Sequence, residues 1–234
     1  MKNIFLMIAI LGLVIGCEDT KKRTTEIKKN TFKKEEVLNS SKKKEVPKPK
    51  IKLTHKNAVS FLTEFGKKNT ENNIRIITTY GNIDIELYND TPIHRANIIF
   101  LVKQNYFNNT FLHRVVPNFI IQAGSSDLKS TFKKRADIGN NYRLPYEKGN
   151  GRVHQYGSIS GAKEYRKNPD KMTSPFEFFI YLGSNSNNKH LNGNYTIFGK
   201  VTKGMDIVEV LSELPTDEQD WPLNNIYISV EIIE

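Results

Sequence analysis

From Ile74 onward the chain carries the two-residue alternation of half-buried strands. In "IRIITTYGNIDIELY" two apolar runs are split by Tyr80-Gly81-Asn82, a hairpin signal. In the second run Ile83, Ile85 and Leu87 alternate with Asn82, Asp84, Glu86 and Tyr88, so one face meets a core and the other meets water. The period then changes. In "DTPIHRANIIFLVKQN" Asp90 or Thr91 is placed to cap a helix, Pro92 takes its first position, and Ile93, Ala96 and Phe100 give it an apolar face. Ahead of the strands, in 57–66, Ala58, Phe61, Leu62 and Phe65 fall at i, i+3, i+4 and i+7, with Asn57 to start a helix and Gly66 to end it. This helix packs on the domain that follows or, on the other reading, binds a partner.

The most apolar stretch is "FLHRVVPNFIIQAG", 111–124, in which eight of fourteen residues are apolar and His113 and Arg114 sit in the middle. A polar, glycine-containing loop is expected over 125–152. Apolar runs follow at 158–162, 176–182 and 195–201, then a small helix at 205–211 and a last strand at 226–233. There is no internal repeat. Many strands, few helices and no strand–helix alternation predict a mainly β domain over 74–234, a closed or sandwiched antiparallel sheet.

Charge changes the picture at the N-terminus. The chain has 234 residues and a formal charge of +10. Residues 18–56 hold fourteen Lys/Arg against six Asp/Glu, whereas 57–234 hold twenty against nineteen. The basic character therefore belongs to a tail, and a nearly neutral domain argues against a nucleic-acid partner. The tail lacks apolar periodicity and reads as a disordered Lys-rich tether over 17–56, leading into the short helix and linker of 57–73. Its lysines either hover over anionic head groups or merely keep a spacer extended.

Before the tether, an apolar run at 4–16 follows Lys2. Thirteen residues are too few for a spanning helix, which needs roughly 20. They suit a signal peptide. The run ends Val14-Ile15-Gly16-Cys17, which resembles the bacterial lipobox, with Cys17 as the lipidated first residue of the mature protein. The alternative is a signal peptide cleaved elsewhere. Cys17 is the only cysteine, so no intramolecular disulfide holds the fold.

Searching for standard chemistry finds no G-x-S-x-G, H-E-x-x-H, P-loop or C-x-x-C. The five histidines, 55, 94, 113, 154 and 190, have no ligand spacing, so neither a metal nor a cofactor is expected.

The stretch Leu112-His113-Arg114-Val115-Val116-Pro117-Asn118-Phe119-Ile120-Ile121-Gln122-Ala123-Gly124 resembles the core motif of the cyclophilin-type peptidyl-prolyl isomerases. "TTYGNIDIELYNDTP", "HQYGSISGAK", "FEFFI" and "HLNGNYTIFGKVTKGMDIVEVL" resemble further blocks of that family, in order, so the resemblance covers 74–234. It implies a closed eight-stranded antiparallel barrel capped by two helices, with the substrate groove outside. It also implies a peptidyl-prolyl isomerase, and together with the lipobox-like N-terminus it points to a monomer anchored to the cell envelope by its lipid that assists folding of exported or envelope proteins.

The implied reaction needs no nucleophile. Amide resonance puts a barrier of roughly 18–20 kcal/mol on X–Pro rotation. In the twisted transition state the proline nitrogen regains a lone pair, which a preorganised cation can stabilise. The resemblance assigns that role to Arg114. It assigns the proline pocket to Phe119, Ile120, Phe179 and Leu191, and gives Gln122 the task of holding the arginine or the substrate backbone. Ala162 and Lys163 match the segment that binds the residue before proline, and Tyr195 a pocket-rim position. Taken singly, each apolar residue is more commonly a core residue and only the joint motif lifts it above that; for Arg114 the alternative is a structural ion pair, which the motif disfavours. His113 reads as structural. Four positions depart from the pattern: His190 lies where eukaryotic members often have Trp, Ala123 replaces a Gly, Gly161 replaces a Met, and Glu177 replaces the usual Gln. Glu177 is expected to pair with Arg114, dulling it or holding it. That departure, with the long 164–175 loop, keeps open a second function, a weakly catalytic module that binds proline-containing segments.

Overall fold

The computed structural model describes residues 51–164, 166–183 and 188–234. The expected signal peptide, Cys17 and the expected tether up to residue 50 lie outside them. Strands β1 (Asn73–Thr78) and β2 (Gly81–Leu87) form the first hairpin. Its turn is fastened by Thr78, whose Oγ1 accepts from the N–H groups of Tyr80 and Gly81. The apolar stretch at 111–124 proves to be two strands, β3 (Thr110–Val116) and β4 (Ile120–Ser125). Pro117-Asn118-Phe119 turns between them, with Asn118 at φ 56°, a left-handed conformation Asn tolerates. The remaining strands are β5 (Ser158–Gly161), β6 (Phe178–Tyr181), β7 (Ile197–Lys203) and β8 (Ile226–Ile232). All pairings are antiparallel and the sheet closes in the order β1-β2-β7-β5-β6-β4-β3-β8.

The inward residues are those the alternation picks out: Ile74 and Ile76, Ile83, Ile85 and Leu87, Leu112, Ile121, Ile159, Phe178, Phe198 and Val230 are all buried in one cluster. Each such side chain contributes about 1.5–3 kcal/mol by leaving water. A void of only about 10 Å³ remains among Ile85, Phe107, Phe178 and Val230. That is about one water's worth, so this interior is filler and not a ligand site.

Among the described residues four helices accompany the barrel, two of them as its caps. Three were expected: α1 (Ala58–Lys68) at the 57–66 stretch, and the capping helices α2 (Pro92–Lys103), against β8, and α4 (Met205–Ser212), against β2, β3 and β4. Helix α1 lies on α2, and α3 (Lys129–Ile138) falls inside the stretch expected to be loop. Gly66 does not end α1. It lies within it, where an added Cβ would sit 3.0 Å from that of Ala96 on α2, so the glycine permits a close crossing. Phe61 and Phe65 meet Phe100 edge-on across the same crossing. Nor do Asp90 or Thr91 cap α2 with their side chains. The N–H groups of Ile93 and His94 donate to the Glu147 carboxylate, each at 2.9 Å.

The expected tether boundary also shifts. Leu53 is 1% exposed in the main core, and its N–H donates to the carbonyl of Ile138 at the end of α3. Residues 51–56 thus belong to the domain.

Candidate active site

Outside the barrel core lies a second apolar cluster. Ile120, Phe179, Tyr181 and Leu191 are buried in it, and Val116, Phe119 and Tyr195 pack on its edge. Ile120 of β4 pairs in register with Tyr181 of β6, and Gln122 with Phe179. Residue alternation sends Ile121 inward and its neighbours outward, so the barrel wall supplies this floor automatically. Phe119 meets Tyr181 and His190 at ring separations of 6.2 and 5.7 Å, and Phe179 meets Tyr195 at 5.6 Å.

The floor is braced from behind by His154, which sequence reasoning left aside. It is fully buried and stacks on Phe179 with an interplanar angle of 8°. Its Nδ1 lies 2.9 Å from the Asn192 carbonyl oxygen and its Nε2 2.9 Å from the Ser160 hydroxyl. The first nitrogen therefore donates and the second accepts. Burial pushes its pKa down, against the bond to Asn192, which keeps the ring neutral under the floor.

Above the floor opens a cleft of about 810 Å³. Arg114, Phe119, Ile120, Gln122, Ala162, Lys163, Glu177, Phe179, His190, Leu191 and Tyr195 all line it, so the structure gathers every position named from the resemblance into one space. It adds residues that the sequence did not suggest, chiefly Phe132 and Arg135 of α3 and Arg143 just beyond it.

The charges pair differently from expectation. Arg114 donates from Nε to Asp220 at 3.1 Å, with both side chains about 40% exposed. Glu177 does not hold Arg114. Its carboxylate accepts from Arg135 Nη2 at 3.2 Å and Gln122 Nε2 at 3.2 Å, and lies 3.6 Å from His113 Nε2. Burial raises the Glu177 pKa, but the bonds and charges of His113 and Arg135 outweigh it and hold the carboxyl below its ordinary value. His113 is thus structural through Glu177, and also packs on Trp221. Gln122 serves Glu177 rather than the arginine, although it faces Arg114 in the β3–β4 register.

Arg135 joins this network to the barrel. It donates to the Tyr106 hydroxyl at 2.8 Å and the Ser125 hydroxyl at 3.0 Å. The Tyr106 hydroxyl in turn donates to the carbonyl of Gly124. Gly124 is required here: its φ is +102°, and a Cβ would lie 2.1 Å from the carbonyl oxygen of Phe176.

Among the described residues no three His, Cys, Asp or Glu side chains cluster as metal ligands do. Beside the apolar floor stands the half-exposed guanidinium of Arg114.

Fold and cleft define a closed-barrel protein whose binding site lies on its outer wall. The chain matches the family model of the cyclophilin type peptidyl-prolyl cis-trans isomerases/CLD over residues 73–232, and it belongs to that family. It is 38% identical over 146 residues to a peptidyl-prolyl cis-trans isomerase of Acinetobacter baylyi, spanning 61% of this chain and 73% of the relative. Peptidyl-prolyl cis-trans isomerase A of Dickeya dadantii is 32% identical over 162 residues, 67% of this chain and 79% of that one. The crystal structure of a cyclophilin type isomerase of Cryptosporidium parvum matches with a TM-score of 0.58 at 28% identity, covering 70% of this chain and 98% of its own. A second structure of that protein, in the presence of the dipeptide Ala-Pro, matches with a TM-score of 0.57. The protein is a peptidyl-prolyl cis-trans isomerase.

Proposed function

We propose that the protein isomerises X–Pro bonds of unfolded or newly exported polypeptides in the bacterial cell envelope, as a monomer held to a membrane by lipid on Cys17. The observation that carries the catalytic part is Arg114. Its guanidinium stands at the edge of an apolar floor that is separate from the barrel core, with one half-exposed carboxylate for a partner. A proline ring has the size and polarity to rest on Phe119, Ile120, Phe179 and Leu191. The relative crystallised in the presence of Ala-Pro supports a proline-containing ligand.

As the bond twists, the proline nitrogen recovers its lone pair, and Arg114 donates to it or polarises the neighbouring carbonyl. The planar ground state offers less to that donor, so the twisted form is favoured. Arginine retains its charge across the working pH range. Swinging from Asp220 to substrate costs little, because half-exposed ion pairs are worth about 0–1 kcal/mol. The backbone at Ala162 and Lys163 takes the residue before proline.

The envelope assignment rests on the apolar run at 4–16, on Cys17 directly after it, and on the basic tether. The catalytic test measures cis–trans relaxation of an X–Pro peptide by the full chain in detergent. Wild type should accelerate it and Arg114→Ala should lose most of that acceleration. Equal rates would remove Arg114 from the mechanism. For the anchor, Cys17→Ser should abolish labelling by a fatty-acid probe and release the protein from the membrane fraction; an unlabelled wild type would defeat the lipid assignment.

A further inference from the structure

The cleft is larger than a proline needs, and its far wall is basic. Four cations line it: Arg114, Arg135, Arg143 and Lys163. Two already have counter-charges, Asp220 for Arg114 and Glu177 for Arg135. The other two have none among the described residues. Arg143 donates only to the carbonyl of its neighbour Tyr142. Lys163 projects over the Tyr195 ring, 4.8 Å from its centre. Burial lowers the Lys163 pKa and the charge of Lys171 lowers it further, so this ammonium is partly stripped of water and repelled by a like charge. Glu164, the carboxylate on this wall, is exposed and pairs with neither.

Backbone pairing brings the two cations to one place. Leu144 and Thr173 exchange N–H···O bonds of 3.0 and 2.8 Å, and the next residue, Ser174, donates to the carbonyl of Ala162 at 2.8 Å. Arg143 and Lys163 each adjoin one of these pairs, on segments flanking 173–174, so they stand two strand spacings apart, on the order of 10 Å. Both side chains are long enough to reach one anionic group lying between them.

We propose that this wall selects substrates carrying an acidic side chain within two residues of the proline, which Lys163 and Arg143 hold. The proposal rests on the isomerase reading of the same cleft and adds what that reading lacks, a preference in the substrate's sequence. A carboxylate here gains two charge-assisted partners and relieves the Lys163–Lys171 repulsion, whereas a lysine adds a fifth cation.

The test uses the full chain and proline peptides bearing Glu, Ala or Lys at each of the two positions on either side of the proline. Both kcat/KM and affinity by fluorescence anisotropy are read at low salt. At one or more positions Glu should exceed Lys by roughly tenfold, with Ala between, and the spread should shrink as salt rises. Lys163→Glu combined with Arg143→Glu should invert the order. Because the order is a ratio within one preparation, a partly unfolded variant still reports it, and Lys163→Gln with Arg143→Gln should simply flatten it. Wild-type values within twofold of one another at every position overturn the proposal, as does a preference that survives charge reversal. Failure of the isomerase reading looks different: no peptide is accelerated, while the affinity order still decides the charge preference.

Discussion

Two arginines face the same cleft and are held in opposite ways. Arg135 is 22% exposed and shared among Tyr106, Ser125 and Glu177, whose own carboxylate is also held by Gln122 and His113. Arg114 is 40% exposed and meets one carboxylate, itself 41% exposed. The first charge is committed to architecture: α3, β4 and the start of β6 are joined through it. The second is left with a weak partner that substrate can replace. An enclosed multi-partner charge stabilises a fold, and an accessible single-partner charge is available for chemistry.

Removing each arginine should separate these roles. Arg114→Ala is expected to lower kcat/KM by about a hundredfold, the scale of deleting one preorganised donor, while its urea midpoint stays near wild type. A large stability loss with intact turnover would invert the comparison. Arg135→Ala should do the reverse, destabilising by about 2 kcal/mol because Glu177 loses its permanently charged partner in a mostly dehydrated site. Urea titration reads that loss, and turnover per folded molecule should fall only modestly.

Acid sharpens the same contrast. The Glu177 carboxyl is held below its ordinary value of 4.5, burial being outweighed by His113 and Arg135. A depressed carboxyl pKa contributes stability that is present above the unfolded pKa and lost as pH falls through the folded one. The stability advantage of wild type over Glu177→Gln should therefore hold at neutral pH, begin to fade only below the ordinary value of 4.5, and be lost as pH falls through the lowered folded pKa. A pH-independent difference would mean the contribution is packing alone. The smallest effect is expected at Asp220. It sits at φ 65° and its carbonyl accepts from Val115, both of which Asn reproduces. Asp220→Asn should change stability by less than about 0.5 kcal/mol and activity by no more than roughly twofold, since substrate displaces that carboxylate in any case.

Much of the fold was legible because its signals are local. Alternation at Ile83, Ile85 and Leu87 marked an inward face, and Pro92 marked a helix start. The small helix read at 205–211 is α4. Helix α3 did not. In "KSTFKKRADI" only Thr131 and Ile138 are buried, so there is no apolar face to see. It is held by distant acceptors instead: Lys134 donates to the carbonyls of Tyr106 and Asn108, and Arg135 to the Tyr106 hydroxyl. Gly139, at φ +128° directly after it, was the one available hint of a helix end. Gly66 misled in the opposite sense, since a glycine that permits a close crossing and one that ends a helix look alike in one dimension.

The sequence by itself determined most of the strands, their inward faces and the floor and catalytic side of the cleft, because alternation and a long motif are properties of neighbours in the chain. Only the tertiary structure decided which charges meet. Arg114 finds Asp220 across 106 residues, and Glu177 finds Arg135 across 42. Nothing local distinguishes Glu177 from Asp220 as a partner for Arg114. The choice follows from barrel closure, which carries Asp220 past β3, its carbonyl taking the Val115 N–H, and leaves Glu177 under α3. Coulomb attraction acts through space, and that space exists only after the chain has folded.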